Sequence, residues 1–286
     1  MLIKDLYKAK KPVRSFEIFP PKKDADEESI VGAIEEIAAL QPDFISVTYS
    51  AGGSGGSGKT AELAQMIEQK YGIASIAHLT CINAEKSKID AVLQELKNKG
   101  VHNILALRGD LPPGVAKESV VKCPYENASD LLQRIAAEGS FCAGGACYPE
   151  GHMDSENLSQ DIDFLKFKQD CGAEFLISQL FFDNERFLMF LNKARQAGVE
   201  IPISAGIMPI FSRSQIERMI FMCGVSLPAE VVKFVHKYEG NPEDLRKAGL
   251  EFAIAQARYL INEGVDGVHI YTMNKPAAAR KIFESI

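Results

Sequence analysis

The sequence predicts an α/β fold, and within that class a parallel (β/α)8 TIM barrel. Three observations carry the prediction. Eight short apolar segments of strand character recur along the chain, with helical patterns between them. Several of these segments are too apolar for a half-exposed antiparallel sheet and read as parallel strands covered by helices. The length, 286 residues, suits eight βα units. An open doubly wound sheet fits the same alternation, and a count of elements does not close a barrel. No Pro/Gly/Ser linker divides the chain, so residues 1–286 are expected to form one catalytic barrel domain.

The first strand spans 13–19 (VRSFEIF) and the second 43–49 (DFISVTY), with a helical pattern over 26–39 between them. A helix over 59–70 leads to the third strand, 73–80 (IASIAHLT). Residues 85–98 carry apolar side chains at 89, 92, 93 and 96, a one-sided helical stripe. The fourth strand follows at 102–107 (HNILAL). Helices over 126–138, 158–171 and 184–197 precede strands at 141–147 (FCAGGAC), 174–180 (EFLISQL) and 200–206 (EIPISAG). A helix over 212–222 and two more within 228–262 lead to the eighth strand, 267–271 (GVHIY), and a helix over 276–284 follows it. Glycines at 72, 100, 139, 172 and 198 punctuate the helix ends. The connection 108–125 is long for a βα loop and follows a strand's C-terminal end, where such barrels keep their chemistry.

Apolar residues make up 46% and charged residues 24%, a balance that excludes wholesale disorder. The net charge of −6, from 38 acidic and 32 basic side chains, and the lack of a basic run argue against nucleic acid as a partner. Cysteines at 81, 123, 142, 147, 171 and 223 form no CxxC pair and read as reduced thiols. The N-terminal MLIKDLYKAKKPVRS lacks the apolar core of a signal peptide, and no 18-residue apolar stretch exists. A cytoplasmic protein with no membrane span is the expectation.

The most conspicuous motif is GSGGSGKT at 53–60, which satisfies the phosphate-loop pattern between a strand and a helix. In that reading backbone N–H groups and Lys59 hold phosphates and Thr60 holds magnesium, giving a nucleoside triphosphatase. Against it, a glycine- and serine-rich run matches easily, and NILALRGD interposes Arg108 and Gly109 before the nearest acidic strand end. The bland alternative is a flexible glycine loop with Lys59 on a solvated helix face.

The strand ends carry a second signal. They present Glu17; Thr48 and Tyr49; His78 and Thr80; Arg108, Gly109 and Asp110; Tyr148, Pro149, Glu150 and His152; Gln179 and Asp183; Gly206 and Met208; and Tyr271, Thr272 and Asn274. In a barrel these converge on one rim. Singly, each has a structural reading: a paired carboxylate, a core histidine, a turn cap, a packed tyrosine. Together they are hard to explain as packing. No HExxH occurs, so no catalytic metal is indicated; there is no GxSxG nucleophile elbow or usefully placed GxGxxG, and the set suits a tightly held organic cofactor.

Several segments resemble the methylenetetrahydrofolate reductase family: FEIFPPK (16–22), DFISVTYSAGGS (43–54), HLTC (78–81), LALRGDLP (105–112), GACYPEGH (145–152), FLISQLFFDN (175–184), IPISAGIMPI (201–210) and IYTMN (270–274). The resemblance implies a barrel holding FAD. The flavin takes a hydride from NADH or NADPH and passes one to 5,10-methylenetetrahydrofolate, giving 5-methyltetrahydrofolate. It implies that Glu17 is the general acid that helps protonate the bridging folate nitrogen and open the ring to the 5-iminium ion. Neighbours Phe16, Ile18 and Phe19 would help it keep the proton. Asp110 resembles the aspartate between flavin and folate, which tunes the flavin and stabilises the cation. Gln179 resembles the pterin-binding glutamine, and Tyr271 a tyrosine near the rings. Thr48, His78, Arg108, Gly109, Asp110, Tyr148, His152, Asp161 and Lys168 resemble FAD-contacting positions.

The helix FSRSQIERMIFMCG departs from relatives that place an aromatic there against the substrate. The chain ends soon after the eighth strand, so feedback by S-adenosylmethionine is not expected. The resemblance leaves open a homo-oligomer, a separate electron-transfer subunit and the identity of the donor. A barrel subunit retained only for complex formation has no evident need for Glu17, Asp110 and Gln179.

Overall fold

Parallel pairing follows from the apolar strands, and the computed structural model closes all eight into one barrel in the order β1-β2-β3-β4-β5-β6-β7-β8. It describes residues 1–21, 27–49, 56–110 and 124–286. The strands are β1 (Val13–Ile18), β2 (Phe44–Val47), β3 (Ala74–Thr80), β4 (Asn103–Leu107), β5 (Cys142–Cys147), β6 (Phe175–Ser178), β7 (Ile203–Ile207) and β8 (Gly267–Tyr271). The β1–β8 pairing, with Ser15 opposite His269 and Glu17 opposite Tyr271, completes the circle. Closure removes the open-sheet alternative.

The helices are α1 (Ile3–Ala9), α2 (Glu27–Ala38), α3 (Gly56–Tyr71), α4 (Lys86–Asn98), α5 (Ala128–Glu138), α6 (Leu158–Asp170), α7 (Asn184–Gln196), α8 (Arg213–Cys223), α9 (Ala229–Lys237), α10 (Pro242–Asn262) and α11 (Pro276–Phe283). The stripe read for 85–98 is the buried face of α4: Ile89, Val92, Leu93 and Leu96. Asn127 and Asp130 form a capping box at the start of α5, and Gly139 ends it in the left-handed conformation.

Alternation along each strand sorts side chains between two cores. Phe16, Ile18, Ile45, Val47, Leu79 and Ile270 face the helices. Val13, Phe44, Ile76, Leu105 and Phe175 fill the N-terminal end of the barrel interior. Phe175 needs the glycine at 144: a Cβ there would lie 2.2 Å from its ring.

The seven-residue α1 was not expected from the sequence, being too short to show a helical period. It plugs the N-terminal end. Ile3 and Tyr7 are buried there, the Ile3 N–H donates to Asn103 Oδ1 at 2.9 Å, and Tyr7 Oη lies 2.7 Å from Ser204 Oγ. With that end sealed, the polar positions farther along the same inward rows open only toward the C-terminal rim.

Several boundaries shift by one to three residues, and two of the shifts bear on the site. β6 stops at Ser178, so Gln179 falls just beyond it, although its N–H still donates to Cys147 O at 2.7 Å. α3 begins at Gly56, absorbing the end of the glycine run into a helix. Residues 50–55, Cys123 and most of the 108–125 connection lie outside the described residues.

Candidate active site

Glu17 occupies an inward position on β1 and is 7% exposed. Two imidazoles converge on one of its oxygens. His78 Nε2, from β3, lies 3.6 Å from Glu17 Oε2, and His269 Nε2, from β8, lies 3.7 Å from the same atom. Burial lowers the His78 pKa to about 4, against the opposing pull of the nearby carboxylate. Its Nε2 has no hydrogen-bond partner among the described residues. His269 is fully buried, with Nδ1 2.8 Å from Ser15 Oγ and Nε2 3.3 Å from Ser46 Oγ. The backbone is fixed too: Thr272 Oγ1 donates to Glu17 O at 2.6 Å.

Glu17 lines a cavity of about 640 Å³ together with Gln179, Tyr271, Met208 and Met219. The Gln179 side-chain oxygen accepts from Leu180 N at 2.8 Å, so its amide nitrogen is the end left to offer. Tyr271 donates to Ser178 O at 2.6 Å. Gly206 makes this possible, since a Cβ there would lie 2.3 Å from Ser178 O and 2.9 Å from the Tyr271 hydroxyl.

A second cavity, about 410 Å³, is lined by Arg108, Tyr148, His152, Asp161 and Lys168. Lys168 donates to Ala146 O at 2.8 Å and sits 5.9 Å from the Tyr148 ring centre; burial lowers its pKa. Burial pushes the Tyr148 hydroxyl up to about 12. Tyr148 and His152 meet edge to face at 4.6 Å. Arg108 pairs with Asp154 at 2.8 Å. Asp161 organises the loop before α6, accepting from His152 N and, at 2.7 Å, from Ser155 Oγ.

Asp110 is exposed, and its charge acts on Tyr148, in the second cavity, and on Cys223, in the first. Gly109 packs its backbone onto Thr80 with φ at +83°. Thr48 is half-buried and its carbonyl accepts from Thr60 Oγ1 at 2.9 Å. That bond gives Thr60 a structural task tying α3 to the end of β2, and nothing favours the triphosphatase reading. Among the described residues no three His, Cys, Asp or Glu side chains converge to hold a metal, and no helix is long and apolar enough to cross a membrane.

Polar strand ends, a barrel closed around them and paired cavities agree with the family model described as methylenetetrahydrofolate reductase, which matches residues 2–286. The chain belongs to the methylenetetrahydrofolate reductase family. It is 34% identical to 5,10-methylenetetrahydrofolate reductase of Escherichia coli K12 over 261 residues, covering 91% of this chain and 86% of that protein. It is 35% identical to methylenetetrahydrofolate reductase (NADH) 1 of Zea mays over 276 residues, covering 93% of this chain but only 46% of the maize protein. The chain thus spans about half the length of the plant relatives. A solved structure from Clostridium thermocellum, described as an uncharacterised protein binding two copies of 5-methyl-5,6,7,8-tetrahydrofolic acid, matches with a TM-score of 0.68 at 15% identity, covering 100% of this chain and 97% of that one. Oxaloacetate acetylhydrolase matches with a TM-score of 0.54 at 12% identity, covering 98% of this chain and 82% of that one. Both likenesses are of fold.

Within this family member, the structure gathers Glu17, Gln179 and Tyr271 at one cavity and Arg108, Tyr148, His152, Asp161 and Lys168 at the other. His78 is placed beside Glu17. Sequence reasoning missed His269, Ser15 and Ser46. Their signal was parity: Ser15 lies two before Glu17 and His269 two before Tyr271, so each pair faces one side of its strand.

Proposed function

We propose that this chain reduces 5,10-methylenetetrahydrofolate to 5-methyltetrahydrofolate, using FAD held in the Arg108–Lys168 cavity and NADH as reductant. One observation carries the reading: a buried glutamate, Glu17, opens onto a cavity of about 640 Å³ alongside Gln179, a size suited to a folded-in heterocycle. The names of the plant relatives support NADH as the donor.

The second cavity fits a flavin dinucleotide by its donor chemistry. Arg108 and Lys168 supply cationic donors suited to diphosphate, and Tyr148 and His152 supply ring faces and edges. Arg108 would exchange Asp154 for the cofactor. Asp161 would act through the loop it organises, holding His152 in place. Bound there, FAD supplies hydride acceptance and donation.

Glu17 gives its proton to the bridging nitrogen of the folate, so that the five-membered ring opens to the reactive iminium ion. His78 and His269 flank the carboxyl from two sides at 3.6 and 3.7 Å. The amide nitrogen of Gln179 donates to the pterin. Asp110 places a negative charge where the substrate becomes cationic, stabilising that state.

The test is a visible spectrum of the purified protein, followed by anaerobic NADH and then methylenetetrahydrofolate. A flavin band that bleaches with NADH and returns with folate is expected. A band bleached only by dithionite would replace the donor. A colourless protein that takes up no added FAD would overturn the proposal.

A further inference from the structure

The wall of the Glu17 cavity changes character from floor to mouth. Its floor is polar, with Glu17, Gln179 and the Tyr271 ring. Its sides are apolar, with Phe19, Met208 and Met219 among them. At the mouth stands Arg218, an exposed residue of α8 and the only basic side chain among the described lining residues. Among the described residues no carboxylate pairs with its guanidinium; its Nε lies 3.1 Å from Met222 Sδ, one helical turn on. The neighbouring arginine, Arg213, is already engaged by Glu217 and Glu239.

A folate has the same sequence of properties. A hydrogen-bonding pterin leads to an aromatic aminobenzoyl ring and then to a glutamate with two carboxylates. Setting the pterin against Glu17 and Gln179 places the ring along the methionine-rich wall and the anionic tail at the rim. A thioether wall adapts to an aromatic face, and a guanidinium offers a fork that matches a carboxylate. We propose that Arg218 recognises the glutamate carboxylates of the substrate and so selects folates over neutral-tailed pteridines. The inference rests on the folate reading of this cavity.

The experiment uses the flavin-loaded enzyme with NADH and two substrates: 5,10-methylenetetrahydrofolate and its analogue with both glutamate carboxylates converted to amides. For the natural substrate, Arg218→Gln should raise KM about fivefold with kcat retained, the size expected of a rim ion pair. For the diamide, wild type and variant should share one KM. Added salt should narrow the gap for the natural substrate alone, and Arg218→Lys should recover part of the loss. An unchanged KM for the natural substrate, or an equal change for both, would overturn the role. A change confined to the KM for NADH would assign Arg218 to the diphosphate of the donor instead and equally overturn it. Wild-type enzyme that binds neither folate would defeat the folate reading itself, a result distinct from an active enzyme indifferent to Arg218.

Discussion

His269 Nε2 lies 3.7 Å from Glu17 Oε2, and its Nδ1 is held 2.8 Å from Ser15 Oγ. The imidazole is fully buried, stacks on Phe44 at 5.7 Å and meets Tyr271 edge to face at 5.4 Å. Its orientation is therefore set by packing against two aromatic rings and by a hydroxyl on one nitrogen. The other nitrogen points toward the carboxyl that opens onto the cavity.

Replacing His269 by Phe keeps the stacking and removes both nitrogens. Reoxidation of the reduced enzyme by methylenetetrahydrofolate should slow about tenfold, about 1.4 kcal/mol for losing the polar imidazole beside the carboxyl. Reduction by NADH should stay within about twofold. Stopped-flow absorbance separates the two half-reactions, and equal slowing of both would refute a role confined to Glu17.

Glu17→Gln keeps the shape and removes the acid. Bleaching by NADH should persist, while reoxidation by folate should fall by about a hundredfold or more, as expected for a lost general acid. The variant must retain normal flavin content for the comparison to count. Parallel loss of both half-reactions would assign Glu17 to architecture.

His78 carries a pH signature. In the unfolded chain it takes a proton near pH 6.5, but burial lowers the folded value to about 4. Between these values the unfolded chain binds more protons. Stability contributed by neutral His78 is thus full above about pH 6.5 and is lost progressively as pH falls toward 4, by about 3 kcal/mol in all. His78→Gln should flatten this window. Urea midpoints across it report the slope, and identical slopes in the two proteins would refute the assignment.

Gly206 leaves room for Tyr271 to reach Ser178 O. An alanine Cβ would lie 2.3 Å from that oxygen, among atoms that cannot yield cheaply. Gly206→Ala should destabilise the fold by about 1–3 kcal/mol and should raise the KM for folate by displacing Tyr271. Chemical denaturation and steady-state kinetics test the two effects separately; an unshifted midpoint would mean the strand moves apart freely.

Much of this protein is local in origin. The alternation of apolar strands with one-sided helices, such as Ile89, Val92, Leu93 and Leu96 on α4, is written in side-chain periodicity and needs no long-range information. The glycine after α5 and the polar strand ends are legible for the same reason: each reflects a local backbone or burial requirement. Even the eight strand ends could be assigned to one rim once a barrel was assumed. What the periodicity does not contain is which inward side chains meet. Ser15 and His269 are 254 positions apart and become neighbours only because β8 pairs with β1. The short α1 is invisible locally because its stability comes from Tyr7 and Ile3 docking into the barrel. His78 likewise reads as a strand residue until closure buries it, holds its pKa near 4 and sets it beside Glu17. Sequence alone determined the repeating unit and the types of group at each strand end. Tertiary closure decided their partners, because the contacts that tune a carboxyl or an imidazole come from across the barrel.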